Sequence, residues 1–280
     1  MISIHVPKTG GTSFRWMLEE LFGAGFQPDY HQEPRPALMD GPELRGTDDE
    51  IRALFIDIRC VHGHFNASKY LRLRDIEGIE PVFITWLRDP AERCMSTYHY
   101  LRKLDTRPEQ RPEWERAAKT MTIKDFFEQT RYGTNRQFVQ LHALERDDLA
   151  FIGCTERFNE SIRIFLQMFF PHVTRMQLQH ELRNEERTGR YQIPPILRAR
   201  LIEQNVLDEQ LYQYGRGWLS GALRSLPAPS DTFSLAPPES APSFARLWRS
   251  FRRRISRWAN GYGHRRGRNR SASNPSRESA

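Results

Sequence analysis

The chain opens with ISIHVPKTGGTSF (residues 2–14), and this stretch indicates how the fold begins. Its first five residues are mostly apolar and rich in β-branched side chains, as in a buried strand, and Pro7 ends that strand. From Phe14 onward, apolar side chains recur at helical spacing, and we expect Thr12 or Ser13 to cap this helix. Strand, glycine loop and helix together form the opening of an α/β unit.

The loop of this unit carries groups that bind anions. They are one lysine, two glycines and three hydroxyl side chains: Lys8, Thr9, Gly10, Gly11, Thr12 and Ser13. The backbone N–H groups of such a loop and the positive end of the following helix dipole converge on one spot, where anions bind. In the P-loop of nucleoside triphosphatases the lysine directly follows the last glycine, whereas Lys8 stands two residues before Gly10. The loop therefore predicts an anion site of another kind; the plain alternative is a glycine turn with an exposed lysine.

The rest of the chain alternates strands with helices. Strands are expected at residues 2–6, 59–61, 82–87 and 150–153. Helices are expected after Pro90, from Thr122, after Asn135 and over residues 161–170 and 197–214. We interpret residues 27–49 as a loop excursion and residues 104–119 as a charged surface segment. The alternation predicts an α/β fold with a mainly parallel central sheet flanked by helices.

A second anion motif follows the clearest strand, VFITWL at residues 82–87. Arg88 stands at the carboxyl end of this strand, which is the edge where open α/β sheets bind ligands. Ser96 lies on the helix that follows, so a guanidinium fork and a hydroxyl can converge on a phosphate. The plain alternative is an ion pair between Arg88 and a nearby acid such as Asp89. Two anion motifs at neighbouring strand ends together favour ligand binding.

The two motifs resemble those of a known enzyme family. PKTGGTS followed by RDPxxRxxS is similar to the pair of phosphate-binding motifs in sulfotransferases that use 3′-phosphoadenosine 5′-phosphosulfate (PAPS). HGHF at residues 62–65, Asn135 with Gln137, and TERF at residues 155–158 resemble the branch containing heparan sulfate 2-O-sulfotransferase and related bacterial carbohydrate enzymes. The resemblance covers residues 2–217. It implies a P-loop-like three-layer fold, as in sulfotransferases and nucleotide kinases.

The resemblance also implies how the donor binds. Residues 8–13 would cradle the 5′-phosphosulfate, and Arg88 with Ser96 would hold the 3′-phosphate. A sulfuryl group carries less negative charge than a terminal phosphoryl group. Lys8 and the backbone amides would therefore steady the leaving group, 3′-phosphoadenosine 5′-phosphate (PAP), and no metal would be required.

The histidines of HGHF are the candidate acid–base groups. The implied acceptor is a carbohydrate hydroxyl, which must lose its proton as it attacks sulfur, and a histidine is suited to accept that proton near neutral pH. His62 and His64 flank Gly63 just after a strand, so we expect their side chains to point the same way. The resemblance makes His64 the base and makes His62 an assisting or substrate-binding residue. The plain alternative is a pair of surface histidines.

Three further side chains are candidates for binding the acceptor: Asn135, Gln137 and Arg157. For Arg157 an ion pair with Glu156 or Glu160 is an equally good interpretation. His5 alternates within the first strand, and we interpret it as a packed residue.

The charge is uneven along the chain. Residues 243–280 carry eleven arginines against one acidic residue, a net charge of +10, so residues 1–242 contribute −3 to the total of +7. We divide the chain into a sulfotransferase-like domain (1–222), a Pro/Ser-rich linker (223–242) and an arginine-rich segment (243–280). Residues 244–258 place aromatic and aliphatic side chains at helical spacing among arginines. This pattern predicts a basic amphipathic helix, followed by a disordered low-complexity tail.

The composition and the tail limit the functional classes. Cys60, Cys94 and Cys154 form neither a disulfide framework nor a zinc pattern, and the N-terminus lacks a secretory signal. We expect a cytoplasmic enzyme that acts on a glycan or glycolipid and attaches through residues 244–258 to an anionic membrane surface, on its inner face. The basic helix could instead bind an acidic polysaccharide or nucleic acid, or pack on the enzyme's own body. The alternative functions are an ATP-dependent kinase and a membrane- or polyanion-binding protein that acts through its tail.

Overall fold

A computed structural model describes residues 1–225 except residues 32, 105–106, 108, 110 and 174–189. Within these residues five strands form one sheet: β1 (Ile2–Ile4), β2 (Phe26–Asp29), β3 (Cys60–Gly63), β4 (Phe83–Leu87) and β5 (Leu149–Cys154). Their order is β2-β3-β1-β4-β5, and every neighbouring pair is parallel. The predicted parallel sheet is confirmed. The predicted linker and arginine-rich helix lie outside the described residues, apart from residues 223–225.

The described helices are α1 (Gly11–Phe22), α2 (Asp48–Asp57), α3 (Pro90–Lys103), α4 (Glu113–Thr120), α5 (Ile123–Thr130), α6 (Arg136–Leu141), α7 (Phe158–Phe169), α8 (Pro195–Gln204) and α9 (Val206–Ser225). After β1 the chain builds β2 and β3 on one side of the sheet, and then β4 and β5 on the other. The strand order therefore reverses at β1. The loop that leaves its carboxyl end lies where open α/β sheets bind ligands.

Helices cover both faces of the sheet. On one face, the ring of Phe14 in α1 lies 5.1 Å from Trp86 of β4 and 5.0 Å from Phe165 of α7, measured between ring centroids. On the other face, α9 comes so close that a Cβ on Gly215 would lie 2.8 Å from a Leu87 methyl group. Adjacent residues of a strand point to opposite faces, so Trp86 and Leu87 connect the sheet to both helical layers. The three-layer α/β arrangement is confirmed.

The close packing of two neighbouring strands requires a glycine at position 63, within HGHF. A Cβ added to Gly63 would lie 1.9 Å from the carbonyl oxygen of Asp29, the last residue of the neighbouring strand β2. No side chain fits there. The same carbonyl accepts a hydrogen bond from the backbone N–H of His64, at 3.2 Å. Because β2 and β3 approach so closely, the position of the histidines depends on a residue that lacks a side chain.

The interpretation of residues 27–49 as a loop is wrong in two places. Phe26–Asp29 forms the edge strand β2, which accommodates Pro28 because an edge strand does not need every N–H group. Helix α2 then begins behind Thr47, whose side chain accepts a hydrogen bond from the Glu50 N–H while the Glu50 carboxylate accepts one from the Thr47 N–H. This capping box was present in the sequence as TDDE.

Two further expectations need correction. The segment interpreted as surface contains α4, on which Glu115, Ala117 and Ala118 are buried. The single helix expected over residues 197–214 is two helices, α8 and α9, separated at Asn205. Helix α9 continues to Ser225, three residues past the expected end of the domain. Among the described residues, no helix combines the length and apolar character needed to cross a bilayer.

We predict that Gly63→Ala lowers the free energy of unfolding by about 1–3 kcal/mol, because its methyl group overlaps the Asp29 carbonyl and forces β2 and β3 apart. The matched control is Gly217→Ala in the exposed middle of α9, where a Cβ meets no atom within 4 Å. It is expected to raise stability by about 0.5–1 kcal/mol, because alanine favours helices. Urea unfolding measures both. Equal stability of Gly63→Ala and the wild-type chain would contradict the role given to this contact.

Candidate active site

The anion loop lies at the carboxyl end of β1, at the point where the strand order reverses. Its backbone takes left-handed conformations at Lys8 (φ 72°) and Gly10 (φ 87°), and α1 then begins at Gly11. Left-handed backbone is costly for a lysine and is characteristic of functional sites. The expected cap at Thr12 or Ser13 is wrong, because the cap position is occupied by Gly10, which has no side chain with which to cap the helix. The first N–H groups of α1 therefore point at the loop without a capping side chain.

The two glycines and Thr9 shape the loop. A Cβ on Gly11 would lie 1.9 Å from Nε2 of His5, so the imidazole packs directly against the first residue of α1. Thr9 is buried, and its hydroxyl donates to the carbonyl of Val6 at 2.8 Å. Its side chain is therefore committed to the turn. Thr12 is exposed, and Ser13 is partly exposed.

Arg88 joins the two predicted anion motifs. Its Nη1 donates to the carbonyl of Lys8 at 3.1 Å, and its Nη2 contacts the carboxylate of Glu92 at 3.3 Å. Its Nε is buried and has no hydrogen-bond partner among the described residues. The ion pair with a nearby acid that the sequence left open as the plain alternative does form, but with Glu92, because Asp89 instead pairs with Arg198. The guanidinium therefore lies against the loop with donor capacity to spare.

Helix α3 turns one face toward the same place. Glu92, Ser96 and Tyr100 follow each other at four-residue spacing and so share a face. Glu92 contacts Arg88 at one end of this row, and the ring of Tyr100 lies 4.0 Å from Nζ of Lys8 at the other. Ser96 stands between them and is partly exposed. The structure therefore brings Lys8 and Arg88 together, with Ser96 on the face of α3 that contacts both of them.

The electrostatics of Lys8 fit an anion site. Burial lowers its pKa to about 8, and the charge of Arg88 contributes to the shift. Among the described residues no carboxylate forms an ion pair with Lys8. Two cations that repel each other next to free N–H groups favour a bound anion, which would relieve the repulsion.

The two histidines of HGHF lie in different environments. His62 is buried, and its Nδ1 is 2.8 Å from the hydroxyl of Ser3. His64, one residue past the end of β3, is exposed. The ring of His5 connects them, with its centroid 5.1 Å from that of His62 and 4.4 Å from that of His64. Because His62 has almost no accessible surface, the structure supports a positioning role for it and no direct contact with an acceptor.

All three imidazoles are neutral at pH 7. Burial, followed by the charge of His64, lowers the pKa of His62 to about 3, and burial lowers that of His5 well below its usual value. The pKa of His64 falls to about 4 through desolvation and through the charges of Arg136 and Lys8. His64 is therefore solvent-accessible and neutral at pH 7, so a lone pair of its imidazole is available to accept a proton.

Gln137 and Asn135 have structural partners. The Gln137 side chain is fully buried, accepts the Arg88 N–H at 2.8 Å and donates to the Arg88 carbonyl at 2.9 Å. The side-chain oxygen Oδ1 of Asn135 accepts hydrogen bonds from the N–H groups of Leu207 and Asp208, at 3.0 and 3.2 Å, at the start of α9. Gln137 supports Arg88 from within the core, while Asn135 holds the start of α9 and is partly exposed. Their predicted contact with an acceptor stays a prediction.

Arg157 forms the ion pair that the sequence offered as its alternative. Its guanidinium makes two bonds to the carboxylate of Glu160, at 2.6 and 2.7 Å, and one to the hydroxyl of Ser220 at 3.1 Å. These contacts connect the start of α7 to α9. Binding of acceptor by Arg157 would require that these contacts break.

Sequence reasoning missed the side chains that hold the site together. The Thr155 hydroxyl lies 2.7 Å from the carbonyl of Thr9 and 3.1 Å from that of Leu87. Gln140 of α6 reaches the carbonyls of His5 and Phe65, at 3.3 and 3.1 Å. Thr155 belongs to TERF, so a motif signal existed for it. For Gln140 the sequence contains no such signal, because its partners are 75 and 135 residues away.

Comparisons with known proteins add little. No protein-family model matches the chain, and no curated protein matches it. Among solved structures, the chain is similar to the crystal structure of mouse sulfotransferase SULT7A1 complexed with PAP, with 12% sequence identity and a TM-score of 0.33. The alignment covers 96% of this chain and 85% of that chain. We draw no conclusion from so distant a likeness. Fold and site define a parallel α/β protein in which the glycine loop after β1 is bonded to Arg88 after β4 and a neutral, exposed histidine follows β3.

We predict that acid destabilises the protein partly through His62. Its pKa is lowered in the folded state, so the unfolded chain binds the proton more tightly below pH 6.5, and stability is lost as the pH falls. Between pH 5.5 and 4.5 the variant His62→Gln should show a slope of unfolding free energy against pH that is smaller by about 1.4 kcal/mol per unit.

The matched control is His142→Gln, which alters an exposed histidine on the far end of α6. It should leave the slope unchanged. Urea unfolding at several pH values measures both slopes. If His62→Gln unfolds with the wild-type pH dependence, His62 is not held neutral in the folded protein.

Proposed function

We propose that the protein is a sulfotransferase that moves the sulfuryl group of PAPS to a hydroxyl of a carbohydrate acceptor. The observation that carries the proposal is the bond between Arg88 and the Lys8 carbonyl, which makes one anion surface of two motifs. The exposed, neutral His64 follows β3, and β3 is the neighbour of β1 on the other side. Anion surface and base therefore meet at one edge of the sheet.

The residues present fit a donor that carries anionic groups at two places. Lys8 and the N–H groups of residues 10–13 would hold the phosphosulfate, while Arg88 and Ser96 would hold the 3′-phosphate. The buried Nε of Arg88, which has no partner among the described residues, has donor capacity for such a group. When bound, PAPS supplies an activated sulfuryl group, whose bond to the phosphate oxygen breaks as the acceptor oxygen bonds to sulfur.

The chain's own side chains act on protons and charge. His64 accepts the proton that the acceptor hydroxyl loses, and it is in the neutral form required for this. Lys8 stabilises the negative charge that develops on the departing phosphate. Gln137 keeps Arg88 in place through both of its backbone bonds. For the free enzyme, activity should fall in acid as His64 becomes protonated and in alkali as Lys8 loses its proton.

We predict opposite effects for two variants. His64→Ala should lower kcat by about 10²- to 10⁴-fold, because the base is lost, and should change the Kd of PAP by less than about threefold. Arg88→Ala should raise the Kd of PAP by about 10- to 100-fold, because charge-assisted bonds to a phosphate are lost. Calorimetry with PAP and transfer of labelled sulfate to a panel of glycans measure the two quantities.

The matched control is Lys124→Ala, which removes an exposed positive charge on α5. It should alter neither kcat nor the Kd of PAP. Full activity of His64→Ala would remove the histidine from the mechanism. Failure of the wild-type chain to bind PAP would overturn the proposed function as a whole.

A further inference from the structure

A cleft of about 420 Å³ opens beside His64. Its walls are the segment that follows β2 and the turn that follows β3, and its lining includes His64 itself, Asn66, Ser68 and a group of charged side chains. Because a hydroxyl that transfers its proton to His64 must reach this imidazole, the cleft is the natural place for the rest of the acceptor.

His64 separates two electrostatic environments. Desolvation, followed by the charges of Arg136 and Lys8, lowers the pKa of its imidazole. Lys8 belongs to the surface assigned to the donor, which carries several negative charges. The cleft lies on another side of His64, and its lining contains carboxylates as well as cations.

The cations that line the cleft are already paired. Nζ of the buried Lys69 lies 2.7 Å from Asp29, and Arg35 lies 3.1 Å from the other oxygen of the same carboxylate. Arg35 also contacts Asp40 at 2.9 Å. Asp29 in turn accepts a hydrogen bond from the hydroxyl of Tyr70 at 2.8 Å. These ion pairs are intramolecular and at least partly buried, so an anionic ligand would have to compete with carboxylates already in place.

The lining has no excess of positive charge. Besides His31 and His64, it contains three carboxylates, Asp29, Asp40 and Glu43, against the two cations just described. Glu43 is exposed and forms no ion pair within the described part of the chain. Arg45 does not line the cleft, but its guanidinium is about 3.0 Å from the place that a Cβ on the lining residue Gly41 would take, and counting it brings the balance to zero. An anionic sugar would therefore meet the exposed carboxylate of Glu43 without a surplus cation.

The remaining polar groups suit an uncharged sugar. Asn66 and Ser68 are exposed at the mouth of the turn after β3, and within the described ranges neither side chain hydrogen-bonds to the protein. An amide donates and accepts, as does a hydroxyl, so the two can pair with hydroxyl groups of either polarity. Neutral groups of this kind orient a polyhydroxyl ligand without requiring that it be charged.

We propose that the cleft beside His64 binds an uncharged carbohydrate and discriminates against uronic acids and sulfated sugars. This inference rests on the proposed function and narrows its acceptor. It differs from the acceptors of the heparan sulfate branch that the motifs resemble. Discrimination comes from Glu43 and from the paired state of Arg35 and Lys69, which together make entry of a carboxylate or sulfate unfavourable.

The test uses two acceptors that differ in one negative charge and one methyl group. One is the unsulfated disaccharide of chondroitin, and the other is the same disaccharide with its uronate converted to the methyl ester, which adds no hydroxyl. Short acceptors are used because a long polyanion would also bind the arginine-rich residues 243–280. With the full chain and PAPS, we expect kcat/KM at least about tenfold higher for the methyl ester. An equal or higher value for the free uronate would overturn the inference.

A charge reversal locates the selectivity. Glu43→Lys should shift the ratio of kcat/KM values toward the uronate by about five- to tenfold, because one repulsive charge becomes attractive. The matched control is Glu20→Lys, which makes the same change on the exposed far end of α1 and should leave the ratio unchanged. If both variants give the wild-type ratio, the cleft does not select the acceptor.

The outcomes separate the inference from the function on which it rests. Transfer that favours the uronate overturns the neutral acceptor alone and leaves the sulfotransferase intact. A chain that binds PAP but transfers sulfate to neither disaccharide nor to any glycan of the panel overturns the proposed function, and the inference with it.

Discussion

The contact between the Arg88 guanidinium and the Lys8 carbonyl is the constraint on which the site depends. It connects two loops that are 80 residues apart in the chain and adjacent in the sheet. Their proximity follows from the topology, because β1 and β4 are parallel neighbours and end at the same edge. Lys8 can present its carbonyl there because its backbone is left-handed. The strain at one residue is therefore balanced by hydrogen bonds that the whole sheet positions.

Side chains from elsewhere fix this edge. Thr155 bonds to the anion loop and to the end of β4, Gln137 clamps Arg88, and Gln140 spans the ends of β1 and β3. Each of these neutral polar side chains forms hydrogen bonds with backbone groups at or just past the strand ends, which have no partner within the sheet. Of the charged groups at the site, Arg88 is shared with Glu92, and Lys8 has no carboxylate partner among the described residues. A rigid edge with cations that have spare donors is prepared for an anion before one arrives.

The sequence was sufficient where a local pattern specified the structure. The anion loop, the helix after Pro90 and the central strand all follow from neighbours within a few residues, and the sheet that they predict is confirmed. It was insufficient where the partner is distant. Gln137 was identified as a site residue, but its partner is the backbone of Arg88, 49 residues away. In the same way, the burial of His62 and the exposure of His64 depend on the packing of His5 and Ser3, which no pattern of the strand reveals.

The proposed function requires that the two motifs act as one site for a nucleotide with a 3′-phosphate. Calorimetric titration of the chain with PAP, with 5′-AMP, which lacks only that phosphate, and with ATP and magnesium tests it most directly. The account predicts that PAP binds at least about tenfold more tightly than either, since Arg88 and Ser96 would contact the additional group. Equal binding of PAP and 5′-AMP, or tightest binding of ATP with magnesium, would contradict it.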